Sequence, residues 1–482
     1  MCWHSVSVQE LGQELGQLPF PVRVSGLAGD PDQPQPSGRR LQQESERPSG
    51  NEVAERRQCL LHLVGLLLAF AVILYLGIRG KPLWITMGLA TVILLLSAGR
   101  DLPATAALAA RTAVAPGTMD LVGIVALITV LAFTLREFGL LGHMSQGLTA
   151  TLRSDRLAFA LIPGLLGCLP VPGGAGISAP MIDGLGENLG LERAQRAAAN
   201  VIFRHAWFLV LPLEPALVLS AHLANVELRR MIAFQWPLTA VMLATGAFLF
   251  LRQNGKEARQ SPLGGELTGR GGPTGHGKAI GHGELNGRRE LKRLAVNTAP
   301  ILVSLFLFLA LDIPLILSLA AGAGVGCLLA WRKGTFSWAV LARSPDWSLI
   351  GATELIMIFA GLVSHSTALS TLVGGIAGSD YPLAAFLLIP AVLGLLTANP
   401  TAGVAIAFPV LWPLLPAGAN PLIYSSLVFC LTFLTYLVSP LHMCLVLTNR
   451  YFAVHPGPVY RYLLPSAAVT TVVTLVLFLA NR

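Results

Sequence analysis

Ten apolar runs of 14 to 20 residues constrain the fold of this chain more than any other feature. A helix that crosses about 30 Å of hydrocarbon needs roughly 20 mostly apolar residues, and tilt or snorkelling absorbs small deficits. The runs lack the alternating ten-residue strands of an outer-membrane barrel. We therefore predict an all-α, polytopic membrane protein. The runs are Leu60–Ile78, Leu83–Ser97, Leu121–Leu135, Phe203–Leu219, Ile232–Leu251, Val296–Leu311, Ile313–Trp331, Ile350–Val363, Leu422–Leu437 and Tyr462–Ala480.

Composition agrees with lipid as the solvent. Only 12% of the residues are charged and 54% are hydrophobic, whereas a soluble domain carries about 25% charged residues. The net charge of +8 lies mostly in loops, where it signals topology, so we expect a lipid bilayer and no nucleic acid as partner. The six cysteines are scattered without metal-type pairing and predict neither a disulfide framework nor a metal site.

Composition also divides the chain into four segments. Residues 1–59 are polar and predict a disordered N-terminal tail, and residues 253–293 predict a flexible, basic, Gly-rich linker. Residues 60–252 and 294–482 form the two transmembrane segments. The basic charge of the linker favours the cytoplasmic side, and we expect the protein in a prokaryotic inner membrane.

The two transmembrane segments are copies of one unit. Ala158–Gly167 recurs as Ala385–Gly394 with seven of ten positions identical. Pro212–Leu219 recurs as Pro440–Leu447, with an offset only one position longer than that of the first match. Aligned prolines and glycines at nearly constant offset are difficult to obtain by chance. The sequence therefore contains an internal duplication.

Each copy consists of three spans, an interrupted apolar segment, a span broken by proline and a last span. If the interrupted segment enters and leaves on one side, each copy crosses the membrane about five times. An odd number of crossings inserts the second copy upside down. The predicted fold is two inverted repeats of about five spans each, with a re-entrant hairpin and a broken helix per repeat.

The interrupted segments, Leu169–Gly176 and Thr397–Gly403, cannot be continuous helix because proline removes a donor and glycine adds backbone freedom. Irregular backbone at membrane depth survives only where it is packed in protein or lines a wet cavity. We expect the two hairpin tips to take part in binding. The candidate residues there are Pro172, Gly173, Gly174, Gly176, Thr397, Asn399, Thr401 and Gly403.

The proline-broken spans supply the remaining candidates. Glu214 and His442 occupy equivalent positions where new half-helices are predicted to begin, and Ser439 is predicted to cap the second one. A free helix N-terminus favours an anion. Glu214 and His442 could carry a coupling proton or cation, although a first-turn acid such as Glu214 also suits its helix dipole. Arg204, followed by His205, either meets an anionic substrate or extends to the membrane interface.

A resemblance to a known family rests on these same segments. Pro170–Pro180 with Phe203–His205, and Ser439–His442 with Thr448–Phe452, resemble the integral membrane family domain of unknown function 401. More broadly, residues 60–482 look like the ion-transporter superfamily, which includes citrate, dicarboxylate and gluconate carriers, arsenite permeases and some sodium/proton antiporters. The resemblance implies alternating access around a site between two inverted units.

The favoured function is a secondary active transporter of a small, anionic solute, coupled to protons or sodium and needing no other cofactor. A cation/proton antiporter is the alternative. A membrane-embedded enzyme is less favoured because the chain contains no nucleophile elbow, zinc-protease motif or phosphate-binding loop, so no enzyme activity is expected. A channel is less favoured because selectivity filters usually come from oligomeric rings. A homodimer stays open.

Overall fold

The computed structural model describes residues 50–98, 101–140, 144, 147, 148, 152, 154–168, 174–252, 284–365, 382–397 and 399–482. Within these ranges every regular element is a helix. Seven helices are long and apolar enough to cross a membrane, and four further apolar helices are shorter. The chain is therefore an integral membrane protein.

The described residues of the first half form nine α-helices. Four helices precede the hairpin, two helices form its arms, and three helices follow it. They are α1 (Gly50–Ile78), α2 (Leu83–Ser97), α3 (Leu102–Ala113), α4 (Pro116–Glu137), α5 (Asp155–Gly167), α6 (Ala175–Asn188), α7 (Arg193–His205), α8 (Pro215–Leu223) and α9 (Leu228–Phe250).

The second half repeats this order. The short third helix is reduced to one turn, and the remaining elements have clear counterparts. They are α10 (Glu284–Leu309), α11 (Leu315–Arg332), α12 (Trp338–Leu341), α13 (Trp347–Ser364), α14 (Pro382–Thr397), α15 (Pro400–Leu411), α16 (Pro421–Leu437), α17 (Met443–Phe452) and α18 (Pro456–Asn481).

Helix starts confirm the duplication at the level of structure. Helices α7 and α16 begin at positions 193 and 421, α8 and α17 at 215 and 443, and α9 and α18 at 228 and 456. The separation is the same in all three pairs. Asn225 and Ala453, which follow α8 and α17, have that separation too, and both have a φ of 51°. The two repeats therefore share even a left-handed residue after the second half-helix.

The halves interlock through exchanged contacts. Helix α6 of the first half packs against α17 of the second, and α15 packs against α8. In the same way, α7 contacts α18 and α16 contacts α9. Each of these four contacts has a partner with the two halves exchanged, as an internal two-fold relation requires. The fold is thus two repeats, each with a two-armed hairpin (α5–α6, α14–α15) and a broken helix (α7–α8, α16–α17).

Glycines allow each hairpin to approach its broken helix closely. A Cβ atom at Gly167 would overlap the carbonyl oxygen of Arg204, and one at Gly394 would overlap that of Thr432. These two glycines are the aligned last residues of the duplicated ten-residue segment. The same close contact therefore recurs in both repeats and holds the end of each first hairpin arm beside the break.

Some predicted boundaries need correction. Helix α1 begins at Gly50 and α10 begins at Glu284, each ten residues before the predicted start of its repeat. The first broken helix begins at Arg193 instead of Phe203. Hydropathy detects only the apolar part of a helix, so a turn that carries charged residues is not distinguished from a loop. Residues 1–49 and 253–283 lie outside the described residues.

Candidate functional site at the helix breaks

The first break follows a short 3-10 turn, Ala206–Leu209, at the end of α7. Helix α8 then begins at Pro215, with Glu214 as its N-cap residue. Proline suits this position because its missing N–H would have no partner within the helix. The free N–H groups of the first turn point back toward the break. This start was expected from the sequence.

The second break has the same form with different residues. Helix α16 ends at Leu437, and α17 begins at Met443 with His442 as its N-cap residue. His442 therefore occupies the position that Glu214 occupies in the first repeat. Both breaks present the N-terminus of a half-helix, where the partial positive charge favours an anion.

Ser439 does not cap the second half-helix, contrary to the sequence prediction. Its hydroxyl donates to the carbonyl oxygen of Leu395 at 2.7 Å and accepts from the N–H of Leu441 at 3.3 Å. The turn at Pro440 and Leu441 separates Ser439 from the first helical residue, so its side chain cannot reach the helix amides. Ser439 instead joins the break to the end of the second hairpin's first arm.

Arg204 lies at the centre of the site. It is the penultimate residue of α7, is 1% exposed, and lies within electrostatic range of Glu214 and His442. Of the two placements left open by the sequence, the structure therefore selects the buried one. Because α7 begins well before Arg204, at Arg193, this side chain is carried deep into the bundle.

Four further side chains surround Arg204. The Nε2 atoms of His205 and His442 are 3.2 Å apart, and the Tyr436 ring centroid lies 4.2 Å from that of His442. Arg204 also interacts with the sulfur of Cys444. Tyr436 and Cys444 were not predicted from the sequence because both lie within apolar helices and resemble ordinary core residues.

Asn200 links the first hairpin to the site. Its Nδ2 group donates to the carbonyl oxygen of Ala175 at 3.0 Å and to Oγ1 of Thr448 at 3.1 Å. The Asn200 side chain, on α7, thus connects the start of α6 with α17 of the second repeat. Its Oδ1 is buried without a hydrogen-bond partner among the described residues. Asn200 was not predicted from the sequence, although a polar residue within an otherwise apolar turn is a signal that could have identified it.

The predicted residues of the first hairpin tip are only partly described. Pro172 and Gly173 lie outside the described residues. Gly174 is buried and is the N-cap residue of α6, and Gly176 lies in the first turn of that helix. Helix α6 therefore begins at Ala175, whose carbonyl oxygen accepts a hydrogen bond from Asn200.

The second hairpin tip is organised by side-chain hydrogen bonds. Asn399 is the N-cap residue of α15, and its Oδ1 accepts from the N–H of Ala402 at 3.1 Å. The hydroxyl of Thr397 donates to the carbonyl oxygen of Leu393 at 2.8 Å. Thr401 and Gly403 are buried in the first turn of α15. The polar residues of this tip thus stabilise the hairpin itself.

The site is closed in this conformation. Arg204, His205, Glu214 and His442 are all at most 5% exposed. A separate cavity, lined by residues such as Leu94, lies among α1, α2, α3 and α13, away from the breaks. Access to the buried centre therefore requires movement of the surrounding helices.

These features define a polytopic helical membrane protein of two interlocked repeats with a buried polar centre. The chain belongs to the family described as Protein of unknown function (DUF401), whose model matches residues 62–262 and 285–480. The two matched segments coincide with the two repeats, which confirms the family resemblance. A search of curated proteins found no match.

Proposed function

We propose that this protein is a secondary active transporter of a small anionic solute, coupled to protons or sodium. The observation that carries the proposal is the buried guanidinium of Arg204 within electrostatic range of the N-cap residues of two half-helices. A fixed cation and two helix N-termini create a positive potential in a region of low dielectric. A small anion is the ligand that this potential would stabilise.

The distribution of these groups suits alternating access. Arg204, His205 and Glu214 come from the first repeat, whereas Tyr436 and His442 come from the second. A solute held between them contacts both repeats at once, and a relative movement of the repeats would change the side from which the centre is reached. The closed centre corresponds to the occluded step of such a cycle. Glu214 and His442 are the candidates for carrying a coupling proton.

The hairpin residues have a supporting role in this proposal. Gly174, Gly176, Thr401 and Gly403 bring helix backbone to the centre without side-chain bulk, and Thr397 and Asn399 hold the second tip in shape. Residence in a prokaryotic inner membrane, with the linker on the cytoplasmic side, belongs to the same proposal. A catalytic role and a channel are not proposed.

A cation/proton antiporter is the second candidate function. It is favoured by one observation, the buried carboxyl group of Glu214, which is 5% exposed. Buried carboxyl groups within membrane bundles are typical of proton and cation pathways. The nearby Arg204 argues for an anion instead, because its fixed guanidinium would repel a transported cation that the single carboxylate of Glu214 holds.

Reconstitution into proteoliposomes tests the proposal. The full chain should take up small organic anions from a radiolabelled panel when a proton or sodium gradient is imposed. Arg204→Gln should reduce uptake at least about tenfold because a charge-assisted contact contributes about 1.5–3 kcal/mol. If Arg204→Gln does not fold, Arg204→Lys is the second variant. It keeps the positive charge, so it tests whether charge alone suffices for uptake.

Arg230 provides a matched control. It is an exposed arginine on α9, so Arg230→Gln should leave uptake unchanged. Gradient-driven movement of cations without any anion flux would favour the antiporter. The absence of any gradient-dependent flux across both panels would reject transport.

A further inference from the structure

Three potential metal ligands converge at the junction of the two repeats. The ligand atoms of His205, His442 and Cys444 all lie within 4.8 Å of one another, and all three residues are buried. His205 ends α7 in the first repeat, whereas His442 and Cys444 begin α17 in the second. The two histidines are 237 residues apart in sequence, so no spacing motif could have predicted this group.

Hydrogen bonds determine which ring nitrogens are free. Nδ1 of His205 lies 2.8 Å from the carbonyl oxygen of Val201, and Nδ1 of His442 lies 3.1 Å from that of Leu437. Carbonyl oxygens only accept, so both Nδ1 atoms carry hydrogen and both neutral rings have their lone pair on Nε2. These two lone pairs face each other across 3.2 Å. The contact is repulsive unless a proton or a metal ion lies between the two nitrogens.

We propose that His205, His442 and Cys444 bind a thiophilic d10 metal ion, of which Zn²⁺ is the representative. Metal-bound histidines typically donate their second ring N–H to a carbonyl or carboxylate, which is the arrangement of both rings here. Two imidazoles and one thiolate form a donor set that zinc and copper(I) accept. Metal binding can be measured without transport, so this assignment stands apart from the proposed function, but it shares His442 with the proposed coupling pair, and His442 would not carry a proton while the metal is bound.

The distances agree with such an ion. Two Zn–N bonds of about 2.0 Å at a tetrahedral angle separate the nitrogens by about 3.3 Å, close to the observed 3.2 Å. The sulfur of Cys444 lies within 4.8 Å of the histidine ligand atoms, which places it within reach of an ion that also binds both rings, with a Zn–S bond of about 2.3 Å.

Metal titration of the purified full-length protein, freed of metal with a chelator, tests this assignment. Zn²⁺ should bind at one ion per chain and raise the melting temperature. Co²⁺ should give a thiolate-to-cobalt charge-transfer band. Cys444→Ser should abolish that band and weaken Zn²⁺ binding by at least about 100-fold, the upper range for altered metal shells.

Cys430 supplies a matched control because it is another buried cysteine, on α16, outside the group. Cys430→Ser should bind Zn²⁺ like the unmodified chain. X-ray absorption of the zinc-loaded unmodified protein gives a readout that needs no variant, with one sulfur at about 2.3 Å and two nitrogens at about 2.0 Å expected. No binding, a shell without sulfur, or equal binding by Cys444→Ser overturns the proposal.

Discussion

At the residue scale, the two repeats present different side chains at equivalent positions. Glu214 and His442 both serve as N-cap residues of half-helices, and Arg204 corresponds to Thr432. An exact internal symmetry would give two identical half-sites. Here one repeat supplies the fixed cation and the carboxyl group, while the other supplies an imidazole and a phenol. In the proposed transporter, this asymmetry would orient a single solute.

Glu214→Gln and His442→Asn should uncouple anion flux from the ion gradient. Each change removes a proton-binding group while keeping a similar volume at the N-cap. We expect gradient-driven uptake to fall at least about tenfold, with downhill exchange less affected. Uptake by proteoliposomes in the presence of a chelator is the measurement. Glu227→Gln, at the exposed N-cap of α9, is the control, and normal coupling in both variants would reject this role.

At the element scale, an ion network anchors the start of α7. Arg196 is 5% exposed and pairs with Asp183 and with Glu187 of α6, the latter at 2.9 Å. The Tyr451 hydroxyl on α17 donates to the other Asp183 oxygen at 3.3 Å. A buried arginine is tolerated only when its charge is matched, so this network explains how a charged helix start fits inside the bundle. It also ties the first hairpin to the second repeat.

Asp183→Asn should destabilise the protein more than Glu187→Gln. The first change weakens two contacts and leaves Arg196 undercompensated, for which we expect a cost of about 1–3 kcal/mol. The Glu187 side chain is 66% exposed, so its pair should contribute at most about 1 kcal/mol. Thermal unfolding in detergent compares the two variants. Equal melting temperatures would contradict the proposed role of the buried pair.

The paired glycine contacts make a second element-scale prediction. Gly167→Ala and Gly394→Ala should each cost about 1–3 kcal/mol because the new methyl group overlaps a backbone carbonyl. Gly184→Ala on α6 is the matched control, since its added methyl meets no atom within 4 Å. That variant should unfold at an unchanged or higher temperature. The measurement is thermal unfolding, and a tolerated alanine at both paired positions would show that the arms are not held by close contact.

At the scale of the whole molecule, the exchanged contacts bind the halves into one body. Each hairpin packs against the second half-helix of the opposite repeat, so neither repeat completes its own core. The breaks consequently meet at the interface, and the polar centre belongs to both repeats. Any movement that opens the centre must alter several of these shared contacts together.

Inverted repeats predict opposite exposure of equivalent loops. Glu227 and His455 are the exposed N-cap residues of α9 and α18 and occupy equivalent positions in the two repeats. Cysteines introduced at these two sites in a chain without its six native cysteines should react with an impermeant maleimide from opposite sides of the membrane. Labelling of oriented vesicles before and after permeabilisation provides the measurement. Labelling from one side at both positions would exclude inversion.

Several parts of this architecture could be predicted because they depend on local properties. Apolar run length predicts membrane helices, and the aligned prolines and glycines predict where both repeats break. The start of α7 is missed by hydropathy although Glu192 and Gln195 form a local capping box there, and the role of Ser439 could not be predicted because it depends on a partner distant in sequence. Arg196 enters the bundle only because α6 supplies carboxylates, and Ser439 reaches the carbonyl oxygen of Leu395 across 44 residues.

The sequence by itself determined the solvent, the repeat and the positions of the two breaks that precede α8 and α17, because hydropathy and backbone restrictions act on neighbouring residues. Only the tertiary structure decided that Arg204 is buried, that His205 faces His442, and that Cys444 joins them. Those placements result from packing between helices of different repeats, which lie far apart in the sequence. The low dielectric of the interior then strengthens the electrostatic interactions among the polar side chains that meet there.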